Sequence, residues 1–255
     1  MNDRQIDPNE GGPWDEGMER IPLVKLEGNE VHIENFRNYR YECHGICGGN
    51  YESRVVKVDE LEVAEFIVVP FASQPDLAHT MMSFGFTDGQ YLVVSVEARL
   101  RAKQRYSIWK GLIGRYPIMY VIADERDSIG YRTECRGDEV YLYHVDASEA
   151  EMHQFLRSVL ERAAALHVRC ERYNTLWNNC ATNIWRHIND IWPGRVPWGW
   201  RVLMPAGAAY LAYRLGFLRS DQSFDQTRES ARINDLAAGN SNEPDFSQRI
   251  RPNRG

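Results

Sequence analysis

A chain of 255 residues is long enough for one large domain or two small ones. Its 43 % hydrophobic content, with seven Trp and thirteen Tyr, calls for a packed core, and its net charge of −6 argues against a nucleic-acid backbone as partner. No apolar run reaches the roughly eighteen residues a membrane-spanning helix needs, and Met1-Asn2-Asp3-Arg4-Gln5 lacks the apolar core of a secretory signal. The five cysteines, Cys43, Cys47, Cys135, Cys170 and Cys180, are too few for a disulfide scaffold at this length. Their odd number leaves at least one thiol free.

Residues 1–20 are rich in Asp, Glu, Asn, Gly and Pro and predict a disordered tail. Strand patterns follow at Val31–Glu34 and Val55–Val58, and Glu65–Phe71 is a nearly continuous apolar run suited to a buried strand. The clearest unit is a hairpin: Thr80–Phe86, then Thr87-Asp88-Gly89-Gln90, then Tyr91–Glu97. Asp-Gly between two apolar runs is a strong turn signal. Further strands are expected at Ile118–Ile122 and Val140–Val145.

Ser148 with Glu151 forms a capping box for a long helix whose apolar stripe runs from Phe155 through Leu166. A second helix begins at Cys180, with Ala181, Ile184, Trp185, Ile188 and Trp192 at helical spacing, and ends at Pro193-Gly194. A third, shorter one is expected over Pro205–Leu218. Beyond Ser220 the composition turns polar, and 220–255 is predicted to be disordered. The chain thus reads as one α+β domain over 21–219 between two tails.

The chemistry concentrates at Asn178-Asn179-Cys180. A thiol in the first turn of a helix faces free N–H groups and the positive end of the helix dipole, which favour the thiolate. A cysteine nucleophile also needs a base, and a third group to orient that base. Of the seven histidines, His153 and His167 fall on the long helix and His144 in or beside a strand. His187 lies about two turns, or ~10 Å, beyond Cys180. His79 opens the hairpin at the edge of the predicted sheet, and a histidine on a central strand facing a helix N-terminus is the geometry a thiol–imidazole pair requires.

Glu97 is the candidate third member. With a two-residue Asp88-Gly89 turn, Thr80 faces Glu97 and His79 faces Ala98, putting Glu97 on the wrong face. A bulge or a three-residue loop would bring Glu97 opposite His79. The competing reading makes Glu97 and Arg99 a structural ion pair.

Taken together, His79-Thr-Met-Met-Ser-Phe-Gly-Phe86, Ser95-Val-Glu-Ala-Arg99 and Tyr173-Asn-Thr-Leu-Trp-Asn-Asn-Cys180 resemble the Lnb N-terminal periplasmic domain family of bacteria. Ile108-Trp-Lys-Gly-Leu112 and Tyr141-Leu-Tyr-His144 fit it as well, so the resemblance covers about residues 30–220. It implies a permuted papain-like fold of the NlpC type, with an antiparallel sheet packed against helices. Cys180 would be the nucleophile, His79 the base and Glu97 the orienting residue. Asn179, Arg99 and Ser83 would support them, Asn179 near the oxyanion. It also implies cysteine-dependent acyl transfer of the lipoprotein N-acylation kind, or hydrolysis of an amide or ester, through a thioester. The partner is then an acyl-bearing substrate, lipid or lipoprotein, with no cofactor and no nucleic acid. The address is the periplasm or envelope, with the cytoplasm as the alternative that the N-terminus suggests. The rival classes are a binding module that keeps the fold without the reaction, and a small metal site at Cys43-His44-Gly45-Ile46-Cys47. Asp124-Glu125-Arg126-Asp127 reads as a charged turn, and Trp192–Trp200 as a loop pinned by its aromatics.

Overall fold

In the computed structural model, which describes residues 12–42, 45–72, 74–197 and 207–251, the strand-forming runs assemble into one eight-stranded sheet. The strands are β1 Leu23–Glu27, β2 Glu30–Glu42, β3 Gly45–Lys57, β4 Leu61–Phe71, β5 Gln74–Phe86, β6 Tyr91–Ala98, β7 Ile118–Ala123 and β8 Tyr141–His144. Their order is β1-β2-β7-β6-β5-β4-β8, with β3 paired to β2. The sheet is mixed rather than purely antiparallel. β2 meets β7 in parallel at Arg37 and Ala123, because β2 reaches β7 by a long crossover and not by a hairpin. β5, which carries His79, is flanked by β6 and β4 and therefore lies inside the sheet, not at its edge.

The consecutive apolar residues of β4 follow from burial on both faces. Phe66 and Val68 join Met82 and Val94 in a core built against α2 Glu149–Val168 and α3 Cys180–Ile191. Ile67 and Val69 point the other way, into a second core with Met81, Val93, Ile129, Phe246 and Ile250. α2 begins at the expected Ser148–Glu151 capping box and buries Phe155, Leu156, Val159, Leu160, Ala163 and Leu166. Each of the larger of these side chains contributes about 2 kcal/mol of apolar burial.

The second core overturns the expectation of a disordered C-terminal tail. Residues 220–251 form α5 Phe224–Ala231, α6 Asn234–Ala237 and α7 Phe246–Arg249, following α4 Ala208–Arg214. Sparse apolar residues suffice because they are spent on one face: Ile233, Ala237, Phe246 and Ile250 are all buried. Arg251 then pairs with Glu65 of β4 and with Glu125, reaching Glu125 Oε2 from Nη1 at 2.8 Å. Residues 12–20 are likewise placed. Trp14 bridges to Arg101, and its ring lies 4.0 Å beneath the Arg99 guanidinium.

The stretch expected as a charged turn opens a π-helix, Arg126–Arg136, with its carboxylates buried and paired. Asp124 binds Arg54 at 2.8 Å, and Asp127 accepts from Arg37 Nη2 at 2.7 Å. The third helix is confined to Ala208–Arg214 among the described residues. Cys43, His44 and 198–206 lie outside them. Cys47 is exposed as a free thiol.

Candidate active site

The β5–β6 connection sets the site. It is a three-residue loop, in which Phe86 N–H donates to Gln90 O at 2.9 Å and Gly89 N–H to Phe86 O at 2.9 Å. Gly89 sits at φ 82°, a conformation that glycine adopts without steric cost. Met81 consequently pairs with Ser95 and Gly85 with Tyr91, one residue out of step with the two-residue turn. That shift places His79, Ser95 and Glu97 on one face.

The β5–β6 ladder ends at Met81 and Ser95. Beyond it, β5 continues against β4 through His79 and Val69, and β6 against β7 through Glu97 and Met119. His79 and Glu97 thus project where the two strands no longer bond each other. The His79 ring Nε2 lies 3.0 Å from Glu97 Oε1 and 2.7 Å from Ser95 Oγ. Ser95 Oγ donates to Glu97 Oε1 at 2.7 Å. A hydroxyl has one proton, so Ser95 accepts from His79, which fixes a proton on Nε2. Nδ1 is left for the thiol. Cys180 lies close enough to His79 for each to perturb the other's ionisation.

Cys180 is the first residue of α3 and is buried. Asn179 is the N-cap: its Oδ1 accepts from Thr182 N–H at 2.9 Å, while its own N–H donates to Thr182 Oγ1 at 2.9 Å. Its Nδ2 is held by Thr175 O at 2.7 Å. Asn179 therefore orients the helix start, with its backbone N–H and one Nδ2 hydrogen engaged there. The first-turn N–H of Cys180 has no acceptor within the helix and remains the donor for an oxyanion.

The charges reinforce one another. Burial lowers the His79 pKa, but the Glu97 carboxylate and Cys180 thiol outweigh it and push it up to about 9. Burial raises that of Glu97, but the His79 ring, its hydrogen bond, Arg132 and Ser95 hold it down at about 2. Burial also opposes ionisation of Cys180, yet the neighbouring His79 brings its thiol below its ordinary value. The arrangement favours thiolate, imidazolium and carboxylate together.

Other expected residues lie elsewhere. Arg99 is not paired with Glu97; its Nε donates to Met18 O at 2.8 Å and its Nη2 to Glu19 O at 2.6 Å. Ser83 donates to Glu125 within the Arg251 network. His187, on the buried face of α3, lies between Tyr120 Oη at 3.0 Å and Ser158 Oγ at 2.8 Å, and burial lowers its pKa to about 3.

Ser95, Thr80, Tyr173 and Arg132 join the site without having been singled out. Ser95 shares strand parity with Glu97, a signal the sequence contains. Tyr173 is near enough for its phenol, kept protonated chiefly by burial, to sense the Cys180 and Glu97 charges. Arg132 Nη2 lies 3.9 Å from Glu97 Oε1 and arrives from the π-helix, which no local pattern announces.

Fold and site together define an α+β domain with a buried cysteine–histidine–glutamate constellation at a helix N-terminus. The sequence pattern of the Lnb N-terminal periplasmic domain matches residues 49–206, and the chain belongs to that family. No curated protein and no solved structure matches it.

Proposed function

We propose that this domain performs thiol-dependent acyl transfer on a permuted papain-like scaffold in the cell envelope, the address its family's name carries. The observation that carries the reading is His79, 3.0 Å from Glu97 Oε1 and electrostatically coupled to the Cys180 thiol at the start of α3. His79 holds the thiol proton on Nδ1 while Glu97 and Ser95 fix the ring through Nε2. The thiolate adds to an ester or amide carbonyl, and the Cys180 N–H stabilises the oxyanion. Collapse expels the alcohol or amine, which takes the proton from His79 and leaves a thioester on Cys180. An incoming amine, deprotonated by His79, then takes the acyl group; water in its place gives hydrolysis.

An apolar cavity of about 80 Å³ lies beside α3, and neither Cys180 nor His79 lines it. Phe66, Met82, Phe155, Ile184, Trp185 and Ile188 line it. Ile184 is one turn along α3 from Cys180, and Met82 is two residues from Thr80. The test is intact-protein mass spectrometry after incubation with an activated fatty-acyl ester. Wild type and Cys170→Ala should gain one hydroxylamine-labile acyl group, and Cys180→Ala none. Equal labelling of the two variants contradicts the assignment.

A further inference from the structure

The largest exposed apolar side chains near the site share one corner. Trp109 is 79 % exposed, Ile113 69 %, Trp177 56 % and Leu176 40 %. Trp109 and Ile113 stand four residues apart on α1 Ile108–Leu112 and its C-cap, hence on one helix face. Leu176 and Trp177 belong to the loop that leads into Cys180.

The two segments are clipped together by polar side chains. Asn174 Nδ2 donates to Leu112 O at 2.7 Å, while Asn174 Oδ1 accepts from Leu176 N–H at 2.9 Å. Tyr106 Oη and Thr175 Oγ1 are 2.8 Å apart, and Tyr173 N–H donates to Tyr116 O at 2.9 Å. Gly111 is buried against Thr175, where a methyl group would collide with its hydroxyl. The fold thus fixes this corner while leaving its four apolar side chains in water. Core packing does not account for them.

Charge identifies the occupant. In a chain of net charge −6, residues 101–115 carry Arg101, Lys103, Arg105, Lys110 and Arg115 and no carboxylate. All five cations are exposed. Exposed Arg172 adds a sixth, packed beside Gly114. Two exposed indoles and aliphatic residues with a basic rim suit the interface of an anionic bilayer: the rings enter the headgroup layer and the cations meet phosphates.

We propose that the corner formed by α1 and the Thr175–Trp177 loop, which leads into Cys180, docks on an anionic lipid bilayer surface. Docking does not require the thiol chemistry, so the two proposals fail separately. The experiment is flotation of the full chain with vesicles of phosphatidylcholine alone or mixed with phosphatidylglycerol, at low and high salt. The wild type and Cys180→Ala should float equally with the mixed vesicles at low salt. Trp109→Ala/Trp177→Ala and, separately, Lys110→Glu/Arg115→Glu should each weaken this by about tenfold or more. Unchanged near-ultraviolet circular dichroism would show that these variants remain folded. The proposal is overturned if the wild type floats with neither vesicle, if folded variants float as wild type does, or if the chain binds soluble polyglutamate but no vesicle.

Discussion

Glu97 governs the charge state of the residues around it. Its carboxyl titrates near 2 in the folded protein against an ordinary 4.5, so its contribution to stability is present above pH 4.5 and fades as pH falls toward 2. His79 has the opposite sign. Titrating near 9 against an ordinary 6.5, it contributes fully below pH 6.5 and loses that contribution as pH rises through 9. The two windows overlap between pH 4.5 and 6.5. Glu97→Gln should therefore cost about 2 kcal/mol in that window, the scale of a hydrogen bond to a charged group. The loss should shrink toward either extreme. Urea titrations of both proteins across the pH range measure it, and a pH-independent difference would dissociate Glu97 from His79. Identity and pairing differ in how openly they are written. Cys180 and His79 are named by residue type and context alone, whereas Arg132 depends on a tertiary contact of 3.9 Å that no local spacing encodes.

At the scale of elements, the legible parts were those with local signals. The Ser148 capping box, the stripe of α2 and the start of α3 at Cys180 are where their residues say they should be. The hairpin was legible in existence but not in register. Asp88-Gly89 fits a two-residue turn, yet Thr87 joins the loop and Gly89 takes the left-handed position of a three-residue one. One residue of register decides whether Glu97 faces His79 or turns away. The π-helix is harder still, because its buried Asp127 and half-buried Arg132 have partners on distant strands, Arg37 and Glu97. The reading of 124–127 as a surface turn failed for that reason.

For the whole molecule, the apolar run of β4 carried an unused implication. A strand with hydrophobic residues on both faces needs two covers, and α2 with α3 supplies only one. The polar-looking residues 220–251 supply the second, locked by Arg251 between Glu65 and Glu125. Arg251→Met would leave two buried carboxylates without their cation, a cost of about 3–5 kcal/mol. Thermal unfolding should shift down by about 10 °C for a chain of this size. A melting curve unchanged within a degree or so would show that the C-terminal segment is not held in this way.

The central claim is that His79 keeps Cys180 ionised. Its most direct test is the alkylation rate of Cys180 by iodoacetamide as a function of pH, followed by peptide mass spectrometry in wild type and His79→Ala. The wild-type midpoint should fall below the ordinary thiol value of 9.0, and the variant's should rise toward or above it as burial acts unopposed. A shared midpoint in the two proteins, or a wild-type midpoint at or above 9.0, would contradict the account.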